Sequence, residues 1–237
     1  MKIGINCGHT VSRQPGCGAV GIIDESVETR TVGKALITKL KAMGHTVVDC
    51  TNDYASSTNE NLSKICKMAN AQKLDMFVSI HFNAGKGKGT EVYTYGGTKH
   101  TEALSICENM SKLGFINRGV KDGSKLYVIH NTNAKAMLIE VCFVDTQSDV
   151  NLYKKNISSI VSVIAEGITG EKVNEENEVT DMFKDVPETD YAYEQIKKLK
   201  EYGIVNGYSD GTFHPDDTIT RRDMAIIIAN ALTVCGK

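Results

Sequence analysis

No apolar run in the 237 residues approaches the roughly 20 needed to cross a bilayer, so no membrane span is expected. Neither sign of charge is in excess: 27 basic and 29 acidic residues leave a formal net charge of -2. With no basic run either, the chain lacks the electrostatic footprint for nucleic acid or an anionic membrane, and neither is expected as a partner. The 7 cysteines, at positions 7, 17, 50, 66, 107, 142 and 235, contain no CxxC spacing. Several sit in apolar strands or helices as small core residues, which fits a reducing compartment of synthesis. The amino terminus opens directly on an alternating strand, without the basic and apolar regions of a secretory signal.

The length suits one well-filled domain plus a smaller unit. Strand-like runs at 2–7, 46–50, 75–80, 90–95, 125–129 and 136–142 alternate with helical patterns near 25–43, 58–72, 98–113 and 156–168. That alternation predicts an α/β domain over 1–169 with helices on both faces of its sheet. The first helix is well marked: Asp24 can cap it, Val32, Leu36, Leu40 and Met43 form an apolar stripe, and Gly44 follows as a stop. Residues 170–180 are acidic and nearly free of apolar side chains, the composition of a linker. The remaining 181–233 predict a small all-α unit with helices near 189–202 and 220–232 and a turn at Tyr208-Ser209-Asp210-Gly211. By surface scaling such a unit buries little core and is expected to lean on a neighbour.

Two histidines end apolar strands: His9 in Lys2-Ile3-Gly4-Ile5-Asn6-Cys7-Gly8-His9, and His81 in Phe77-Val78-Ser79-Ile80-His81. Ligands of open α/β sheets bind outside the carboxyl ends of the strands, and two imidazoles there can converge on one metal ion. The first turn of the first helix, with Asp24, Glu25 and Glu28, is presented at the same edge. Asp24 is used as the cap and Glu25 is taken as third ligand, with Glu28 a competitor because i and i+3 share a face. Glu140 lies inside the apolar run Met137-Leu138-Ile139-Glu140-Val141-Cys142, where a carboxylate needs an ion, a donor or a chemical role. Two histidines and a carboxylate that leave a position for water are the ligand set of a hydrolytic zinc site, and Glu140 fits as its general base. His130 ends the run Leu126-Tyr127-Val128-Ile129 and is a candidate substrate contact; His45, His100 and His214 receive no role, and Cys7 is read as core.

These residues, in this order, resemble the zinc-dependent N-acetylmuramoyl-L-alanine amidases of the type 3 amidase family. The resemblance covers about 1–169 and rests on Asn6-Cys7-Gly8-His9, Asp24-Glu25-Ser26, Ser79-Ile80-His81-Phe82-Asn83-Ala84, Asn117-Arg118-Gly119-Val120 and Leu138-Ile139-Glu140-Val141-Cys142-Phe143-Val144-Asp145. It implies a mixed, largely parallel sheet flanked by helices, Zn(2+) held by His9, Glu25 and His81, and Glu140 as the catalytic glutamate. The implied reaction is hydrolysis of the peptidoglycan amide between N-acetylmuramic acid and the L-alanine of the stem peptide. Asn83 joins His130 as a candidate substrate contact, and Asn70 matches a further family position. The chain departs from the common pattern at Cys7, where many members have proline, and at Asp145, where asparagine is common. Without a signal peptide it resembles an endolysin or prophage-type autolysin, made in the cytoplasm and acting on the wall after release.

The tail resembles a single S-layer homology motif, through Phe183-Lys184-Asp185-Val186-Pro187, Gly203-Ile204-Val205-Asn206-Gly207-Tyr208, Asp210-Gly211-Thr212-Phe213-His214-Pro215 and Ile219-Thr220-Arg221-Arg222. Such motifs bind secondary cell-wall polysaccharide, usually as three tandem copies. Arg221 is the residue expected to meet an anionic polysaccharide. A lone copy also suits a homo-oligomer in which several chains each supply one motif. Rival readings are another zinc amide hydrolase, either peptidase or deacetylase, and a non-catalytic wall-binding protein.

Overall fold

The computed structural model describes residues 1–173, 182–208 and 210–234. Most of the expected linker, from 174 to 180, therefore lies outside the described residues, as do Ser209 of the expected turn and Cys235. The chain divides into two compact units, Met1–Val173 and Asn174–Lys237.

The first unit is a six-stranded sheet in the order β2-β1-β3-β6-β4-β5, built from β1 (Lys2–Cys7), β2 (Thr46–Asp49), β3 (Met76–Asn83), β4 (Thr90–Thr94), β5 (Asn117–Asp122) and β6 (Lys135–Phe143). Neighbours are parallel except β4 and β6, which pair antiparallel. Helices α1 (Glu25–Ala42), α2 (Thr58–Asn70), α3 (Thr101–Lys112), α4 (Tyr127–Asn131), α5 (Gln147–Lys155) and α6 (Ile157–Thr169) complete it. Side chains alternate across the sheet with period 2. Ile3, Ile5, Met76, Val78, Ile80, Met137 and Ile139 pack with Val32, Leu36 and Leu40 of α1 and with α3 and α6. Phe77 and Leu138 point the other way, into a smaller core with Ile65 of α2 and Val128 of α4. Burying each large aliphatic residue contributes about 1.5–3 kcal/mol, so the stripe expected on α1 is what fixes this helix on the sheet. Asp24 caps α1 as its spacing indicates, accepting from the Ser26 amide at 2.8 Å.

Because β1 lies between β2 and β3, the order of the strands reverses at β1, which puts the switch point, the usual ligand edge of such sheets, at the carboxyl ends of β1 and β3. His9 and His81 stand there.

Two expectations fail. The apolar run 125–129 is not a strand: Tyr127–Asn131 is helix α4, with Val128 and Ile129 buried. A short apolar run reads alike as buried strand or buried helix turn. His130 therefore lies ahead of the amino end of β6, its ring 6.0 Å from that of Tyr95, which follows the end of β4. Since β4 is antiparallel to β6, this is the sheet edge opposite the histidine pair, which removes His130 as a substrate contact. Conversely, β5 carries no strand-like alternation because it is a polar edge strand, the composition that discourages edge-to-edge pairing.

The second unit has α7 (Tyr193–Glu201) and α8 (Arg221–Val234). Met182, Phe183, Val186, Ile196, Ile204 and Val205 form its small core, and Phe183 stacks on Phe213 at 4.9 Å. No strand occurs among its described residues.

Candidate metal centre and catalytic edge

His9 leaves β1 in a left-handed conformation, φ 67°, a non-glycine geometry that costs about 1–2 kcal/mol and persists only where surrounding contacts impose it. Those contacts are visible. Arg30 of α1 donates from Nη2 to the His9 carbonyl at 3.2 Å and from Nη1 to the Ser26 carbonyl at 2.9 Å, and its guanidinium is held by Asp53 at 2.8 Å. The His9 Nδ1 lies 3.0 Å from the Gly16 carbonyl. A carbonyl only accepts, so Nδ1 carries a proton and Nε2 is the nitrogen left to face Glu25 or a metal ion.

That Nε2 lies 2.9 Å from Glu25 Oε1, and His81 Nδ1 lies 3.2 Å from the same oxygen. Glu25 is itself aimed by backbone amides, Phe82 N at 3.1 Å on Oε1 and Ala19 N at 2.8 Å on Oε2. One ligand atom from each of His9, Glu25 and His81 falls within a 4.8 Å span. Ligand atoms about 2.0–2.1 Å from a tetrahedral zinc are roughly 3.3 Å apart, so the donor set and its spacing suit a borderline cation of that size. Two glycines make the room. A Cβ on Gly8 would lie 2.5 Å from His81 Nε2, and one on Gly18 would collide with the Glu25 carboxylate.

Burial works against ionisation of Glu25, yet its hydrogen bonds to His81 and His9 hold it well below the carboxylate range. Burial also opposes protonation of both imidazoles. In His9 the Glu25 hydrogen bond and charge outweigh it and raise the pKa; in His81 burial prevails and lowers it.

Glu140 is the register partner of His81 across β3 and β6, so the two side chains share a face. Its Oε2 is shielded from solvent and has no hydrogen-bond partner among the described residues. Burial, followed by the charges of Glu25 and Glu91, pushes its carboxyl up to about 8. Directly opposite on the other side stands Glu91 of β4. It is buried and accepts from Asn83 Nδ2 at 2.7 Å, Tyr93 Oη at 3.1 Å and Arg118 Nε at 2.8 Å. Asn83 is thus spent on Glu91. The sequence argument that singles out Glu140, a carboxylate inside an apolar strand, applies equally to Glu91 in Thr90-Glu91-Val92. Arg30 has no comparable signal, because its role is to hold backbone.

The rival ligand Glu28 turns elsewhere: its Oε2 accepts from the Tyr153 hydroxyl at 2.6 Å. Asn70 clamps the chain between α4 and β6, donating to the Asn131 carbonyl and accepting from the Asn133 amide, both at 2.8 Å. Asp145 takes the amides of Gly85 and Lys86. In the second unit Thr220 accepts from the Asp223 amide at 3.1 Å and donates to its carboxylate at 2.6 Å, which caps α8 and leaves Arg221 exposed.

Two imidazoles and a carboxylate converging at the switch point of an open α/β sheet, beside a shielded carboxyl, form a donor set that could hold a metal ion next to a proton acceptor. The chain belongs to the type 3 amidase family, N-acetylmuramoyl-L-alanine amidase, whose profile matches residues 3–170. Residues 183–225 match the S-layer homology domain. An uncharacterised protein of Clostridium perfringens is 39% identical over 184 residues, 74% of this chain and 53% of that protein. The endolysin of Bacillus phage SPP1 is 31% identical over 173 residues, 69% of this chain and 61% of the endolysin. Among solved structures, the catalytic domain of the CD27L endolysin targeting Clostridia difficile superposes with a TM-score of 0.68 at 28% identity, covering 73% of this chain and 99% of that domain. The chain spans about half the length of the first curated relatives, 53% in each case. Among the described residues no helix is long and apolar enough to cross a membrane.

Proposed function

We propose that the chain is a zinc-dependent N-acetylmuramoyl-L-alanine amidase that acts on peptidoglycan as an endolysin or autolysin, with residues 1–169 as the catalytic domain. The observation that carries this reading is the convergence of His9, Glu25 and His81 within 4.8 Å on a chain of this family, with Glu140 in register beside them. Zinc bound by those three residues would supply Lewis-acid polarisation of the lactyl amide carbonyl and acidify water at the site. Glu140 removes the proton from the attacking water and returns it to the departing L-alanine amine. Its free Oε2, with no other hydrogen bond to break, suits that role. Gly16 and the Phe82 and Ala19 amides keep imidazole and carboxylate aimed throughout, so little reorganisation accompanies the reaction.

The test is mass spectrometry of peptidoglycan digested with the metal-loaded protein. New L-alanine amino termini on intact stem peptides, abolished by a chelator, are expected. New ends within the peptide would instead assign a peptidase, and release of acetate a deacetylase.

The 170–180 segment is proposed as a linker and 181–233 as a wall-polysaccharide-binding unit, in which exposed Arg221 meets acidic sugar or phosphate. Met224, Ile226, Ile228 and Leu232 are exposed on α8, which supports self-association through this unit; sedimentation velocity on the full chain checks it.

A further inference from the structure

The pairing of β4 with β5 is irregular at one place. Thr90 aligns with Asn117 and Val92 with Val120, so two steps along β4 match three along β5. The extra residue forms a bulge, the device that re-aims a side chain beside a site. Gly119 makes it possible with φ 78°, a left-handed conformation that favours glycine. Arg118, the residue before it, is swung over the Phe143 ring at 5.1 Å, and its Nε donates to buried Glu91 at 2.8 Å.

Only one of the five guanidinium donors is used this way. The Nη groups have no protein partner among the described residues, and the side chain keeps 35% of its surface exposed. Glu91 stands opposite Glu140, so Arg118 lies two strands from the catalytic carboxyl, on the same end of the sheet. Two strand spacings are about 10 Å, which an extended peptide covers in two to three residues at about 3.3–3.6 Å each. A planar, rigidly held donor pair at that distance is suited to a carboxylate.

We propose that Arg118 is a specificity-determining contact that binds the free α-carboxylate of the stem peptide's second residue where that residue is joined to the third through its side-chain carboxyl. Glu91 and Phe143 are the positioning residues that hold its fork open to the substrate. This inference rests on the amidase reading above.

The experiment uses the zinc-loaded full chain and two soluble muramoyl tripeptides that differ only at the second residue, one with a free α-carboxylate and one with the carboxamide. The wild-type protein is expected to show a kcat/KM about 10- to 100-fold higher for the carboxylate, the range for hydrogen bonds between charged groups. In Arg118→Gln that preference should vanish, the ratio of kcat/KM for the two tripeptides falling to about 1 whatever both lose in common through the unpaired Glu91. Arg118→Lys keeps a positive charge beside Glu91 but lacks the fork, and should fold normally with a reduced preference. Equal cleavage of both tripeptides by the wild type overturns the subsite, as does an undiminished preference in Arg118→Lys. A loss in Arg118→Gln that leaves the ratio between the two substrates at its wild-type value would also overturn it and assign Arg118 solely to neutralising Glu91. Cleavage of neither tripeptide by zinc-loaded wild type would overturn the amidase reading itself, and the subsite with it.

Discussion

His81 and Glu140 sit side by side in register on adjacent parallel strands, the proposed metal ligand on β3 and the proposed general base on β6. The two roles are separate in chemistry although adjacent in space. Glu140→Gln should therefore keep one equivalent of zinc and lose about 10²- to 10⁴-fold in turnover, the usual worth of a general base. His81→Ala should lose zinc and turnover together. Elemental analysis alongside a peptidoglycan release assay reads both, and zinc loss from Glu140→Gln would reverse the assignment.

Gly8 leaves the His81 ring its space. Gly8→Ala places a methyl group 2.5 Å from His81 Nε2, closer than contact allows, and the ring must move. Zinc affinity is expected to fall about 10- to 100-fold, as when a residue that orients a ligand is changed, with a modest loss of stability from overpacking, about 1–3 kcal/mol. Competition with a chromophoric chelator measures the first and urea unfolding the second; an unchanged affinity would show that the ring has room to spare.

Glu28 and Tyr153 give a pH dependence with a definite sign. Burial raises the Glu28 carboxyl, and the Tyr153 hydrogen bond and Lys154 only partly offset it. The folded chain thus holds this proton to a higher pH than the unfolded chain, whose glutamate titrates near 4.3. The contribution is full below that value and is lost as pH rises through the folded pKa. Urea unfolding between pH 4 and 8 should show the loss in the wild type and a flatter profile in Glu28→Gln; parallel profiles would refute the coupling.

Asn70→Ala removes both hydrogen bonds that tie α2 to the loop before β6. These bonds are exposed, so the expected cost is about 1 kcal/mol in unfolding free energy, with zinc content and cleavage pattern unchanged. A loss of zinc would mean that this distant clamp reaches the site.

Elements with strong periodicity were readable in the residues. The α1 stripe and its Asp24 cap, the strand ending in His81 and the carboxylate inside β6 each carry their own local signal. Where local pattern was weak or two-valued the reading missed: polar β5 looked like loop, and the apolar turn at 127–131 looked like strand. His130 was misplaced with it, because a residue's edge of the sheet follows from the direction its element runs.

By itself, then, the sequence determined which residue types were available and on which kind of element, since hydrophobic period, caps and an ill-matched carboxylate are properties of neighbouring residues. Only the tertiary structure decided between Glu25 and Glu28, turning one to the two imidazoles and the other to Tyr153. It alone brought Glu91 beside Glu140 and Arg118 beside Glu91. The physical reason is that such choices depend on strand order, register and a single bulge, which are settled by packing between segments far apart in the chain.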